Sequence, residues 1–583
     1  MAVFELHRAV REGNLFHVVD ILKKLGQNAD INGPDRKGWT PLMYAVGCPE
    51  VDSQIVRALI GHGASVDESS TALALSDLEK LKVLIEAGAD VLHHEEHGYD
   101  ALINAACGRD AAHNTQLLDI LDLLIAKGVS LRGMTTYGES AVRVLSRMGR
   151  FDAVQFLLKK GANPQDIKFT PLIEAVAWGA LDEVAALVKA GANLEEREYW
   201  ERTPWLIAIQ TGQIERAEFL LKAGVDRNAR GGRGDTPPLF YAIDNGGLPM
   251  LRWLLSIGIN LEQTDDFGKT ALFEAVEQRS YEAVDILLAA GADVRHQCKT
   301  GPPLSFATNG EIAVRLMEAG DDPLELGFSA RRSIIGYPPE PDADLLNATA
   351  AEFTLYRDRR FGQNNAEVMN NPFWIGMIRS GINSYAAKSL FELEEASDSS
   401  QPPVWCAQRF GQSLTFLTDG RIVQVAGEHE DSYDPDFCIY NDVFVHCPDG
   451  TVVIYGYPEA LFPPTDFHTA TLVGNHIYLI GCLGYQHARL YGETPVYRLD
   501  IRTFQIERVQ TTGDKPGWIY KHRATLASPG RIQVAGGEIL SKSNDELAHS
   551  KNARVFTLDI EHLVWFSESD GDTTTGRPRA PAR

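Results

Sequence analysis

"AVQFLLKKGANPQD" (residues 153–166), "RAEFLLKAGVDRNA" (216–229) and "AVDILLAAGADVRH" (283–296) are three versions of one pattern. Each carries apolar residues at helical spacing, closes on a glycine and passes into a short polar turn. The closing glycines are Gly161, Gly224 and Gly291, with Gly191 and Gly258 between them, so successive intervals are 30, 33, 34 and 33 residues. A fixed interval of this size means stacked supersecondary units, each too small to bury its apolar face alone. Every one of these glycines falls where a helix stops in the left-handed region, which only glycine enters without a Cβ penalty.

Between the units lie turns with a second signature, "DRKGWTPLMYAV" from Asp35 and "DDFGKTALFEAV" from Asp265. Thr40-Pro41-Leu42 and Thr170-Pro171-Leu172 repeat one tripeptide, Thr203-Pro204-Trp205 keeps two of its three residues, and Thr270-Ala271-Leu272 replaces the proline. Threonine suits the cap of a first helix, proline its first turn, and leucine the start of its buried face. The combination resembles the ankyrin repeat, D-x-x-G-x-T-P-L-x-x-A, and about ten units are expected from Val3 to Leu326. The third unit is short, Gly63 to Gly88 being 25 residues, and the fourth is stretched to 40 by an insertion around "GRDAAHNTQ". The resemblance implies a solenoid whose concave face, made of turn tips and first helices, binds a protein. Trp39, Tyr99, Tyr137, Trp200 and Phe267 stand beside the turn glycine or its equivalent. A large ring on a turn tip offers much contact area for little entropy, so these five are the candidate partner-binding residues; packing on the neighbouring turn is the alternative.

The repeat stops before a proline cluster at Pro338, Pro339 and Pro341. "DADLLNATAAEFTLYRDRRFG" reads as a helix capped by Asp342 or Asp344, and "NNPFWIGMIRSGINSYAAKSLFELEE" as one or two aromatic-rich amphipathic helices broken at Gly381. "EEASDSSQPP", residues 394–403, has a linker's composition. From Val404 short β-rich runs alternate with Gly, Asp and Asn. "RFGQSLTFLTDGRIVQVAGE", "DFHTATLVGNHIYLIGCLG" and "KHRATLASPGRIQVAGGE" each give a strand, a turn, a second strand and a glycine step. "IYNDVFVHCPDGTVVIYG", "PVYRLDIRTFQIERV" and "RVFTLDIEHLVWF" supply a second hairpin to each, making a four-stranded blade. Gly536-Gly537, the half-kept pairs Ala426-Gly427 and Gly481-Cys482, and the aromatic pair Tyr497 and Phe504 resemble the kelch repeat of β-propellers. The 164 residues from 404 to 567 suffice for three blades and part of a fourth. Either the sheets stay open and the connector helices cover them, or two chains complete one ring as a homodimer, since an unpaired edge strand invites pairing. The expected architecture is therefore multidomain: an ankyrin solenoid over 1–326, a helical connector and linker over 327–403, a kelch-like β-module over 404–567 and a disordered tail over 568–583.

The chain has 583 residues and a formal charge of −24, which argues against partners bound through nucleic-acid phosphates or anionic lipid. No local basic patch stands out in the sequence. No apolar run reaches membrane-spanning length, and "MAVFELHRAVREGN" lacks the apolar core of a Sec signal. Seven cysteines without CxxC spacing fit a reducing cytoplasm. No P-loop, GxSxG, HExxH or dinucleotide fingerprint is present.

"EHEDSYDPDFCIYND", residues 428–442, concentrates carboxylates at the expected connection between the hairpins of the first blade. Its Tyr433, Phe437, Ile439 and Tyr440 suggest a loop that folds back and packs. A ligand surface or a divalent metal site would instead draw on Glu428, His429, Asp431, Asp434, Asp436 and Asp442, joined by Asp466 and His468. The expected function is a non-enzymatic protein-interaction scaffold needing no cofactor. The alternative is a catalytic or metal-binding β-module supplied with substrate by the array; if His468 is buried against a strand, that alternative falls.

Overall fold

The computed structural model describes all residues except 1, 26–29, 36–37, 109–110, 245–246, 322–325, 392–402, 430–436, 544–545 and 569–583. The chain divides into two compact units, residues 1–278 with 289–292, and residues 279–288 with 293–583. Among the described residues, no helix is long and apolar enough to cross a membrane.

Among the described residues, twenty short α-helices, from α1 (Ala2–Arg11) to α20 (Gly310–Glu318), follow one another in ten couples. The helices begin where the turn threonines predict. Thr40, Thr170 and Thr203 each accept a hydrogen bond from the backbone N–H three residues on, and a proline follows each cap. Thr270 makes no such cap bond, and its hydroxyl is buried without a partner. The helices end on the expected glycines, with φ between 75° and 102° at Gly161, Gly191, Gly224, Gly258 and Gly291. Leucines such as Leu157, Leu220 and Leu254 are fully or almost fully buried, each contributing about 1.5–3 kcal/mol of apolar burial.

In the second unit, α21 (Phe328–Ile334) packs on α20. The single helix expected over 342–362 is two pieces. Asp342 caps only a 3-10 turn, Ala343–Leu345, and α22 (Ala350–Tyr356) starts from a capping box of Thr349 and Glu352. Asn347, in the left-handed region at φ 44°, separates the pieces. α23 (Pro372–Ser380) and α24 (Ser384–Phe391) break at Gly381, φ 65°, as expected. Residues 392–402 of the expected linker and 569–583 of the expected tail lie outside the described residues.

Seventeen strands among the described residues form four sheets. In sheet 1, β1 (Glu367–Val368) joins an antiparallel meander of β2 (Ser413–Phe416), β3 (Ile422–His429), β4 (Cys438–His446) and β5 (Val452–Gly456). Sheet 2 is the meander β6 (Thr469–Val473), β7 (His476–Ile480), β8 (Val496–Asp500) and β9 (Ile506–Arg508). β10 (Thr512–Gly513) and β11 (Trp518–Tyr520) lead into sheet 3. There β12 (Arg523–Ser528), β13 (Arg531–Ala535), β16 (Val555–Asp559) and β17 (Val564–Glu568) run in order, with β10 parallel at the far edge. The hairpin β14 (Glu538–Ser543) and β15 (Glu546–Lys551) pairs with β11 in a small fourth sheet.

Alternation places one apolar layer on each side of sheets 1 and 2. Between the connector helices and sheet 1 lie Phe373, Trp374, Trp405 and Phe444, with the two indoles stacked at 4.7 Å. Val425, Val445, Leu479 and Leu499 fill the layer between sheets 1 and 2; Ile480, Val534, Leu558 and Trp565 fill the next. The remaining face of sheet 3 carries the cross-strand row Thr525, Gln533, Thr557 and Phe566, which is polar apart from its last ring.

Neighbouring sheets are also tied at the start of their first strands. His468 bonds Ser413, the first residue of β2, at 2.8 Å, and His522 bonds Thr469, the first residue of β6, at 2.9 Å. At the corresponding place before β2 stands Gln412, which accepts from the buried Arg331 of α21 through both its carbonyl and its side chain at 3.1 Å.

Candidate protein-binding surface

Five of the turns between helix couples are closed by a backbone bond that returns the chain on itself. Asp35 N–H donates to Trp39 O, Glu95 to Tyr99, Thr135 to Glu139, Glu198 to Arg202 and Asp265 to Lys269, at 2.8–3.2 Å. The first aspartate of the signature secures the tip: Asp35 Oδ1 accepts from Trp39 N–H, and Asp265 Oδ1 accepts from the N–H groups of Phe267 and Lys269, all at 2.9 Å. Successive tips are linked in turn. Thr136 N–H donates to His97 O, Tyr199 to Ile167, Gly232 to Trp200 and Asp266 to Gly234, at 2.7–3.0 Å. Backbone thus ties the tip at 97 to that at 136, and the tips from 167 to 266 one to the next, while tip side chains such as Tyr137 and Phe267 stay exposed.

The five candidate rings occupy that row differently. Tyr137 and Phe267 are exposed, at 63% and 59%. Trp39 and Tyr99 are half-buried against the core, Trp39 beside Tyr44 with centroids 5.0 Å apart, and Tyr99 with its hydroxyl 3.5 Å from Glu139. Trp200 is buried, so the expectation of an exposed ring does not hold there. Its indole N–H donates to Arg143 O at 2.9 Å, and Arg147 and Arg233 lie over its ring at 5.2 and 5.1 Å. Beneath this tip the buried Arg202 bonds Glu198, Ser146 and Gln210 at 2.5–2.9 Å, which fixes the turn from inside.

The described ends of the acidic stretch in the second unit, 428–429 and 438–442, are strand. Glu428 pairs with Ile439 and His429 with Cys438, so β3 and β4 run into it from both sides; Asp431, Asp434 and Asp436 lie outside the described residues. Asp442 is buried as the ion-pair partner of Arg409 and also accepts from Trp405 Nε1 at 3.0 Å, while the guanidinium stacks 3.5 Å over Tyr440. His429 Nδ1 meets Tyr440 OH at 2.7 Å. Burial pushes the Asp466 carboxyl up, partly offset by the Gly484 N–H it accepts at 2.6 Å and by a hydrogen bond with Glu428. His468 is fully buried against β2, and burial pushes its pKa down to about 3. The described residues of the stretch are thus built into sheet packing, and their geometry does not support a catalytic site. Among the described residues, no three His, Cys, Asp or Glu side chains gather as a metal-ligand set.

The model of the family "Ankyrin repeats" matches residues 6–95, 109–198 and 205–298. The N-terminal half is built of ankyrin repeats. The chain is similar to "Ankyrin repeat protein nuc-2" of Neurospora crassa, 28% identical over 238 residues, which are 40% of this chain and 21% of that protein. It is also similar to "Ankyrin repeat and KH domain-containing protein mask-1" of Caenorhabditis elegans, 34% identical over 340 residues (55% and 12%). A third relative is the mouse "B-cell lymphoma 3 protein homolog", 25% identical over 231 residues (40% and 44%). The chain therefore spans less than half the length of each of these relatives.

Within the ankyrin array the tips also bring together residues that sequence reasoning missed. Arg143 lies 3.9 Å over the Tyr199 ring, and Lys168 lies 5.7 Å from it. The buried Glu139 is shared by Arg147 at 2.9 Å and Arg233 at 3.4 Å. These cations come from three separate repeats, so no linear window shows them as a patch. "RGGRGD", residues 230–235, was their only local signal, as an extended glycine-rich turn.

Proposed function

We propose that this chain is a protein-interaction scaffold in which the ankyrin tip row captures a protein partner. The observation that carries the reading is the pairing of exposed Tyr137 and Phe267 with a row of tips already fixed by backbone bonds. Rigid rings on a preorganised surface bind with little entropy loss, which is how a few residues come to dominate an interface. Ankyrin-repeat relatives share this general role.

The β-module is read as a second, kelch-like binding surface. Three four-stranded meanders, each opening on a strand that lies beside its counterpart in the next sheet, favour that reading. The open arrangement is preferred to a ring completed by two chains. Connector helices already cover sheet 1, and the polar row Thr525, Gln533 and Thr557 suits water better than another sheet. A light-scattering mass of one chain is the expected result; a dimer whose interface maps to sheet 3 would restore the shared ring. A reducing cytoplasm is in keeping with seven cysteines that form no disulfide among the described residues.

A photo-crosslinking residue at position 137 or 267 should capture a protein partner in native extract, whereas one at Gln155 or Glu218, on second helices, should not. Equal capture from both faces would overturn the reading.

A further inference from the structure

The tip row has a chemical polarity of its own, and we infer that its centre binds an acidic peptide segment of the partner. The inference rests on the array being the partner-binding half. Although the chain carries a charge of −24, Arg143, Arg147, Lys168 and Arg233 converge on two rings, Tyr199 and Trp200. Glu139 lies between two of the cations, and its side chain is only 9% exposed, whereas that of Arg233 is 64% exposed. At the rim, the carboxylate of Asp235 is engaged by Arg230 at 3.1 Å, and Glu201 is exposed.

A guanidinium stacked on a ring keeps its N–H edge directed outward. Arg233 spends an Nη2–H on Glu139 and presents the rest of its fork to solvent, matching a carboxylate's two oxygens. Stacking holds the fork in place, so less rotamer freedom is lost on binding. Exposed Tyr137 and Phe267 flank this centre along the row and would receive apolar side chains next to the partner's carboxylates.

The same chemistry of cations and rings also suits single-stranded nucleic acid. The neighbouring tips decide against it. Glu95 and Glu96 stand exposed on one side, and Asp265 and Asp266 at the tip on the other. A phosphate strand following the row would run into both acidic tips, while a short acidic segment fits between them.

The test uses the full chain and a fluorescein-labelled peptide of about ten residues alternating glutamate and leucine, read by anisotropy. The expected result is binding that weakens as salt rises from about 50 to about 500 mM and falls about tenfold or more in Arg233→Glu and in Lys168→Glu. Lys168 is exposed, so the thermal transition should stay in place in Lys168→Glu; Arg233→Glu also sets a second carboxylate beside Glu139, so its loss is checked against Arg233→Gln, and Arg233→Lys should recover part of it. No preference over a lysine–leucine peptide, or unchanged affinity in both charge reversals, overturns the inference. Tighter binding of a ten-nucleotide oligo-dT overturns it in favour of a nucleic-acid surface. If position 137 still crosslinks a protein when the acidic peptide fails, only the partner's chemistry is wrong; if crosslinking also fails, the scaffold reading falls with it.

Discussion

The ankyrin array and the sheet stack are both series of repeated units tied to their neighbours at one end, but they place the tie in opposite environments. Along the array's tips the ties are backbone bonds, such as Asp266 N–H to Gly234 O, and tip side chains such as Tyr137 and Phe267 remain available to solvent. In the stack they are buried side-chain bonds, His468 to Ser413 and His522 to Thr469, with Arg331 to Gln412 doing the same between α21 and sheet 1. Backbone ties leave the surface chemistry free to vary with the partner. Buried polar ties specify the stack but commit every residue in them to structure. This difference explains why the described residues of the acidic stretch are committed to packing, while function is sought among the tips.

The largest effect that would test this comparison comes from breaking a buried tie in the second unit. Asp442→Ala leaves Arg409 charged and enclosed among Trp405, Tyr440 and Phe444, so it should cost about 3–5 kcal/mol. Scanning calorimetry should show a lowered transition for the second unit and an unchanged one for the first. A common shift of both transitions would mean that the two repeat systems do not fold as separate units.

Within the array, the tips themselves should divide. Trp200→Ala removes a buried ring and should cost about 3 kcal/mol, whereas Tyr137→Ala should change stability by less than about 0.5 kcal/mol while weakening partner capture. Equal costs at the two positions, measured by urea unfolding, would erase the distinction between a supporting and a contacting ring.

Acid sharpens the contrast between the halves. Burial holds His468 and His522 down to about 3, His522 helped by the neighbouring His468, and His446 down to about 4. In the unfolded chain each takes a proton near pH 6.5, which the fold refuses. Stability is thus complete above that value and is lost as pH falls toward the folded values, by about 2 kcal/mol per histidine at pH 5. The second unit should melt progressively earlier below pH 6.5. His468→Gln with His522→Gln should flatten that slope, since Gln412 already fills the corresponding place before β2. An unaltered slope in the double variant would show that the ties do not set the acid limit.

How far these features could be read in advance depended on whether their physics is local. Glycine stops and threonine caps act within a few residues of themselves, so Gly161, Gly224, Thr40 and Thr170 announced the helix couples directly. Hairpins likewise announced β2–β3, β4–β5, β6–β7, β8–β9, β12–β13 and β16–β17. Asn347 was missed because its left-handed conformation has no helical pattern to interrupt until Thr349 starts one. Arg409 and Asp442 lie 33 residues apart, and the cations around Tyr199 and Trp200 come from different repeats. Such meetings are made by packing, and no periodicity encodes them. Trp200 shows the limit most clearly: its position in the turn matches that of exposed rings, and only the arginines above it and Arg202 beneath it decide that it is covered.

The smallest effect concerns a tie of the buried kind inside the array. Asp244, at the end of α15 (Pro238–Asp244), is hydrogen-bonded to Glu274 of α17 (Ala271–Glu277), and burial followed by the nearby Glu274 charge pushes its carboxyl well above the usual range. Between the ordinary value and the raised one, the unfolded chain releases a proton that the folded chain retains, so stability falls as pH rises through that window. Asparagine cannot ionise, and its Nδ2–H can donate to Glu274. Asp244→Asn should therefore stabilise the first unit at pH 7, and the gain should shrink as pH falls toward 4, opposite in direction to the histidine effect in the stack. A loss of stability at pH 7, measured by urea unfolding of the first unit, would mean that both carboxyls are ionised and separately solvated. The array would then lose this carboxyl pair from its ties, and the bonds of Arg202 to Ser146 would remain as its buried polar tie between repeats.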